Sequence, residues 1–266
     1  MIVDVHTHAF PDAVAGPAMA RLAAEGGIPA YADGTVAGLV REMDRAGIDV
    51  AVLQPVATNP ASVARVNDWA ASTASERIVP FGAMHPDLAD APAEIERMAA
   101  LGMRGFKLHP EYQAFGPAEP RLEPVLRAAA EHGMTVLFHA GADHAFDTVR
   151  GAPEAFAAML DAHPGLVAVL AHMGGFREWE GVSRHLVGRD VYFDTAFTLG
   201  HLPDEEFVRI VRAHGVGRVL FGTDGPWTRM AEELRRLRSL PLSAEELDAI
   251  LGGNAAGLLG LSPRGD

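Results

Sequence analysis

Met103-Arg104-Gly105-Phe106-Lys107-Leu108-His109 and, after an intervening segment, Thr135-Val136-Leu137-Phe138-His139-Ala140-Gly141 decide the reading of this chain. Each is a short apolar run that ends in a histidine. Between them, residues 121–132 carry apolar side chains at three- and four-residue spacing, and Gly133 closes the pattern. That spacing puts one apolar stripe on a helix. A near-continuous apolar run is a strand covered on both faces, so the unit is β-α-β with parallel strands. The same alternation extends in both directions. Further apolar runs lie at 2–5, 50–53, 78–81, 166–170, 191–193 and 218–221, and helical patterns at 36–46, 61–75, 91–101, 154–163, 179–187 and 205–214. Gly47, Gly102, Pro164 and Gly215 punctuate helix ends. Eight strands with helices between them and no linker predict one α/β domain over 1–266, a (β/α)₈ TIM barrel. A doubly wound open sheet is the alternative that the same alternation feeds. Residues 9–35, with Phe10, Pro11, Tyr31 and several glycines, are expected to loop over the barrel mouth as part of a lid. Residues 243–261 are expected to form one or two helices broken at Gly252-Gly253, closing the base or rim.

Composition narrows the chemistry. There are 22 Lys+Arg against 35 Asp+Glu, a formal net charge of −13, with 12 histidines and no cysteine. Phosphate contacts need clustered Lys/Arg, so the balance argues against nucleic acid as a partner. Without cysteine there is no disulfide framework, thiolate ligand or thiol nucleophile. The N-terminus lacks a signal peptide's basic start and apolar run, and no stretch reaches the roughly 20 apolar residues of a membrane helix. A cytoplasmic protein with a small-molecule substrate and no membrane partner is the expectation.

Chain direction sorts the histidines, because barrel enzymes work where strands end. His132, His163 and His214 end helices just before strands, where a histidine can meet the negative end of the helix dipole. His6, His8, His85, His109, His139 and His172 stand at or just beyond strand ends. His144 and His201 lie in rim loops, and His185 reads as a solvated helix residue. In Asp4-Val5-His6-Thr7-His8, strand alternation puts Asp4, His6 and His8 on one face and Val3, Val5 and Thr7 on the other. Two imidazoles so placed can chelate a divalent ion. His139, His172 and Asp224, which ends the eighth run in Phe221-Gly222-Thr223-Asp224, would then converge on that pair. Taken singly, each of these residues is an ordinary strand end or turn; together they make a complete shell for a catalytic metal.

At this point the chain resembles the amidohydrolase superfamily, and its phrases DVHTH, GFKLHP, VLFHAG, LAHMGG, FGTDGPW and GGNAAGLLGL look most like the compact amidohydrolase-2 branch, which includes relatives of amino-carboxymuconate-semialdehyde decarboxylase. The resemblance implies His6, His8, His139 and Asp224 as metal ligands, with Zn²⁺ as the ion. His172 would take a second metal or, beside a single ion, touch substrate or the metal-bound water. Lys107 shares a strand face with His109 and is either an unmodified ammonium that pairs with a carboxylate, the preferred reading, or a CO₂-carboxylated bridge between two metals. An unmodified ammonium would be repelled by a dication and so would not ligate it. One ion is favoured, with a second where Lys107 is carboxylated, and family habit suggests a homodimer.

The implied chemistry is hydrolysis of a C–N or C–O bond in an amide- or lactone-like molecule, with Asp224 as general base and His172 orienting water. Non-oxidative decarboxylation or hydration of a carboxylated molecule is the alternative, and a catalytically idle ligand-binding barrel is the non-enzymatic one. Asp4 is expected to hold neighbouring groups by hydrogen bonds. His109, Lys107, Tyr112, His85 and Trp227 are the substrate-binding candidates, with Gln54, Gln113 and Asp194 behind them.

Overall fold

All eight apolar runs become strand, and every pairing is parallel. The computed structural model describes residues 1–262. Its strands are β1 (Val3–Thr7), β2 (Val50–Leu53), β3 (Ile78–Pro80), β4 (Gly82–Ala83), β5 (Gly105–Leu108), β6 (Thr135–Phe138), β7 (Ala168–Leu170), β8 (Tyr192–Asp194) and β9 (Val219–Leu220). β3 falls within the expected run 78–81, and β4 continues the same strand just beyond it. Pro80 has no N–H to give, and the ladder passes through Phe81, which donates to the Leu53 carbonyl at 3.0 Å. The last strand returns to the first: Val5 N–H donates to Phe221 O at 2.9 Å, Asp224 N–H to His6 O at 2.8 Å, and His8 N–H to Gly225 O at 2.7 Å. The sheet is therefore a closed barrel, and the open-sheet alternative falls.

Inside the barrel, Val3, Val5, Val50, Val52, Phe81, Leu137, Val169 and Leu220 form one buried cluster. Residues from strands all around the ring can meet only in the interior. Gly105 is required there, because a Cβ would lie 2.5 Å from the Phe81 ring and 2.3 Å from the Thr135 carbonyl. This apolar plug fills the lower barrel and leaves the upper barrel to polar groups.

The first strand breaks its expected alternation. Its pairing with β2 slips between Asp4 and Thr7. Val3 and Val5 consequently join the interior cluster, and Asp4 does not share a face with His6 and His8. Its carboxylate instead takes the Thr223 N–H at 3.0 Å and the Thr223 hydroxyl at 2.6 Å.

The helical layer comprises α1 (Asp12–Gly26), α2 (Val36–Ala46), α3 (Val63–Ser72), α4 (Ala91–Ala100), α5 (Glu123–Glu131), α6 (Pro153–Ala162), α7 (Trp179–His185), α8 (Asp204–His214), α9 (Met230–Ser239), α10 (Ala244–Asp248) and α11 (Asn254–Leu259). α2 occupies the expected span because both ends are signalled. The Thr35 hydroxyl accepts the Gly38 N–H at 2.9 Å, and Gly47 closes the helix in the left-handed region at φ 71°. Two helices depart from expectation. α1 lies in the segment read as loop; its stripe is mostly alanine and buries only Ala15 and Met19, so its periodic signal is faint. α9 spaces Met230, Leu234 and Leu237 among Glu and Arg, and its apolar stripe is thin. The C-terminal segment has no break at Gly252-Gly253. A π-helical turn at Ala249–Gly253 joins α10 to α11. A Cβ on Gly252 would stand 2.1 Å from the Met1 carbonyl. Ala255 and Leu259 then seal the base of the interior cluster. Among the described residues no helix is long and apolar enough to cross a membrane.

Candidate metal centre and cavity

A cavity of about 640 Å³ opens at the carboxyl ends of the strands. His6, His8, Lys107, His139, His172 and Asp224 form its polar floor. Phe10, Val14, Leu22 and Ile28 from α1 and its flanks, with Val66, Trp69 and Trp227, give it apolar walls. The segment 9–35 does line the mouth, with helix over 12–26 in place of an unbroken loop.

The floor is built on fixed imidazole tautomers. His6 Nδ1 lies 2.8 Å from an Asp194 carboxylate oxygen, His8 Nδ1 2.8 Å from the Gln54 carbonyl, and His172 Nδ1 2.8 Å from the Ala196 carbonyl. Those partners only accept, so each Nδ1 carries the proton and each Nε2 presents a lone pair. His8 Nε2 is 3.1 Å and His6 Nε2 3.5 Å from the same Asp224 oxygen. Three acceptors facing one another repel unless a cation or proton lies between them. By the same logic His139, whose Nε2 is 3.1 Å from the Ala142 carbonyl, turns Nδ1 toward His172 Nε2 at 3.1 Å. Lys107 Nζ sits 3.0 Å from His6 Nε2, the only cationic donor within bonding reach of these lone pairs among the described residues. Nitrogen and carboxylate donors so arranged fit a divalent transition metal. They would hold it through His6, His8 and Asp224, whose donor atoms lie within 4.8 Å of one another. His139 belongs to a neighbouring group with His109 and Asp143, one step removed from that trio.

Electrostatics agree with the tautomers. Burial holds His6 and His139 well below the usual imidazole value, and nearby positive charge adds to it; His172 is lowered chiefly by burial. Burial alone would raise Asp224, but positive charge at His6 and His8 outweighs it and holds the carboxylate well below its usual range; with both rings neutral, a bound cation acts on Asp224 in the same sense. Lys107 is pulled down to about 8 by burial, against the opposing pull of Asp194 and Asp224. Asp4 is pushed up to about 7 by burial, opposed by its Thr223 bonds. His172, Met173 and Asp224 adopt φ of 61°, 55° and 67°, a left-handed backbone costing about 1 kcal/mol or more at each residue. Tertiary bonds hold that strain: His172 N–H to Asp194 at 2.9 Å, Met173 N–H to Asp194 O at 2.7 Å and Asp224 N–H to His6 O at 2.8 Å.

Of the substrate candidates, His109, Lys107, Tyr112 and Trp227 line the cavity, as does Gln54. His85 does not: it is buried beside its own turn, where Nδ1 accepts the Asp87 N–H at 3.1 Å. Gln113 is a strap whose side chain bonds Ala57 O, Met84 O and His109 N. Asp194 sits beneath the floor and orients His6 and the His172 backbone. Sequence reasoning did not single out Asp143, which lines the cavity beside His109. The available signal was a carboxylate four residues beyond His139 in the same rim loop. Arg65 and Trp69, reaching the wall from α3, carried no signal beyond helical periodicity.

Comparison with known proteins places the chain. The family model described as Amidohydrolase matches residues 3–261, and the chain belongs to that family. Among solved structures, 5-carboxyvanillate decarboxylase from Sphingomonas paucimobilis superposes with a TM-score of 0.75 at 19% identity, covering 98% of this chain and 99% of that one. An uncharacterized TIM-barrel protein from Bordetella bronchiseptica gives 0.77 at 22% identity, with 98% of each chain covered. A 5-carboxyvanillate decarboxylase from Novosphingobium aromaticivorans, complexed with manganese and 4-hydroxy-3-methoxy-5-nitrobenzoic acid, gives 0.74 at 17% identity, covering 98% of this chain and 96% of that one. These likenesses establish the fold. No curated protein sequence matches the chain.

Proposed function

We propose that the protein is a divalent-metal-dependent enzyme that removes the carboxylate of a small aromatic or unsaturated organic acid without oxidation. The observation that carries this reading is the convergence of three acceptors at His6, His8 and Asp224 beside a buried lysine, under apolar walls. When bound, the metal supplies Lewis acidity that polarises and anchors an oxygen of the substrate. Were His6 to hold the ion, the Lys107 ammonium would lose its His6 partner and need an anion in its place. A substrate carboxylate meets this need, and the apolar walls take up the organic body. The C–C bond to the carboxylate breaks, its electron pair stays on the substrate carbon, CO₂ leaves, and one proton replaces it. Asp224 and His172 handle that proton, Asp194 holds His6 in its tautomer, and α1 limits access of water.

The decarboxylases among the structural relatives support this order over hydrolysis. The manganese complex of one relative makes Mn²⁺ a candidate alongside Zn²⁺. One ion with an unmodified Lys107 is the simplest state, since the ammonium then has its role. Hydrolysis of an amide or lactone is the second reading, favoured by the ionised Asp224 set against the metal position, as a general base for water requires. A panel of aromatic and unsaturated acids, lactones and amides tests both with the metal-loaded protein. Equimolar CO₂ release with solvent deuterium on the vacated carbon supports the first; turnover of lactones or amides without CO₂ transfers the assignment to the second.

A further inference from the structure

The cavity floor continues past the metal position as a row of rings. His139 stacks on His109 with centroids 4.2 Å apart and planes within 9°, and His109 Nε2 points to Asp143 at 3.4 Å. We propose that His109 and Asp143 form a second recognition point, where the Asp143 carboxylate accepts a hydrogen bond from a hydroxyl or amino group on the substrate. This deepens the reading above and rests on it only in that both ends serve one ligand.

A carboxylate has about four lone-pair positions. Asp143 Oδ1 takes the Ala145 N–H at 2.8 Å; Oδ2 has His109 Nε2 at 3.4 Å, with His139 Nε2 farther off at 3.9 Å and bonded to the Ala142 carbonyl. Among the described residues no lysine or arginine pairs with it, although its side chain is only 16% exposed. A largely buried charge left with spare acceptor capacity toward a cavity is costly unless a donor arrives. His109 Nδ1 faces the Tyr112 N–H at 3.5 Å, which leaves the ring proton on Nε2, directed at Asp143. His109 is thus a positioning residue and Asp143 the specificity-determining one. A second anionic group here would be repelled, so the matching ligand is acidic at the metal end and donor-bearing at this one.

The donor atoms of His109, His139 and Asp143 also lie within 4.8 Å of one another, which raises a second metal as the competing occupant. Geometry disfavours it. Lone pairs on two parallel stacked rings do not converge on one ion, and His139 Nε2 is committed to the Ala142 carbonyl.

Two ligand pairs test the proposal on the metal-loaded protein by calorimetry and ligand-observed NMR: 4-hydroxybenzoate against 4-methoxybenzoate, and phenol against anisole. The hydroxyl member of each pair should bind about tenfold tighter, as a hydrogen bond to a charged acceptor allows. Asp143→Ala should bring each pair to within about twofold, and Asp143→Asn, which preserves shape, should fall between, both with metal content unchanged. His109→Gln should weaken the preference partway and raise KM more than it lowers kcat. Equal binding of each pair by the native protein overturns the proposal, as does a preference that survives Asp143→Ala or the loss of a metal equivalent in that variant. If phenol is preferred over anisole but neither benzoate binds, the recognition point stands and the carboxylic-acid reading falls.

Discussion

Buried histidines occur at both ends of this barrel, and they are built differently. Toward the base, His214 at the end of α8 has both nitrogens satisfied: Nε2 lies 2.8 Å from the Val191 carbonyl and Nδ1 accepts the Gly188 N–H at 3.2 Å. Its ring stacks on Phe193 at 3.8 Å. At the mouth, His6, His8 and His172 each commit one nitrogen to an acceptor and aim the other at a further acceptor or lone pair. The base histidine is a completed structural part, held neutral by burial at a pKa of about 4, and not the charged partner of a helix dipole that its position suggested. The mouth histidines are an incomplete shell. Burial alone does not separate the two; the fate of the second nitrogen does.

The largest expected effect breaks the mouth and spares the base. Asp224→Asn removes the charge that balances a metal while keeping the shape. Turnover on the substrate found by the panel should fall about a thousandfold or more, with metal retention lost and the unfolding midpoint of the metal-free protein little changed. A variant that keeps its metal and most of its activity removes Asp224 from the site.

The base answers to pH instead. His214 is held at about 4 in the fold against about 6.5 when unfolded. A depressed histidine stabilises the fold above its unfolded value, and that contribution drains away as pH falls from 6.5 toward 4. Between pH 7 and 4.5 the native protein should lose about 2 to 3 kcal/mol more stability than His214→Gln, read from urea midpoints. Parallel losses in the two proteins would show that His214 is not held neutral.

The smallest effect lies between the regions, where Asp194 follows Phe193 and holds His6 Nδ1. Asp194→Asn leaves a hydrogen-bonding group but loosens control of the tautomer. Metal affinity should weaken about 10- to 100-fold by competition with a chelating dye, with the fold intact. Unchanged affinity would make the His6–Asp194 contact structural only.

Much of this was legible in the chain. Strand-end histidines and Asp224 were readable because a barrel fixes which end of each strand is functional, and α2 was readable because Thr35 and Gly47 mark both ends. Asp4 was misplaced because alternation cannot foresee a register slip, which depends on how β1 meets β2. α1 was hidden by its alanines, and the mouth's lid was read as a loop for that reason. His85 and Gln113 look like pocket residues from position alone, and only the folded turn shows their hydrogen-bonding groups committed to backbone atoms. Asp143 became visible once the rim loop had brought it beside His109.

The central claim is that His6, His8 and Asp224 enclose a divalent metal. Anomalous scattering from one crystal of the protein loaded with Mn²⁺ or Zn²⁺ tests it directly, with density at Lys107 read from the same data. The account predicts one strong peak among His6 Nε2, His8 Nε2 and Asp224, an unmodified Lys107 turned away from His6, and no peak in the His6→Ala/His8→Ala protein. A peak at His109 and Asp143 instead, two peaks flanking a carboxylated Lys107, or no peak at all would contradict it.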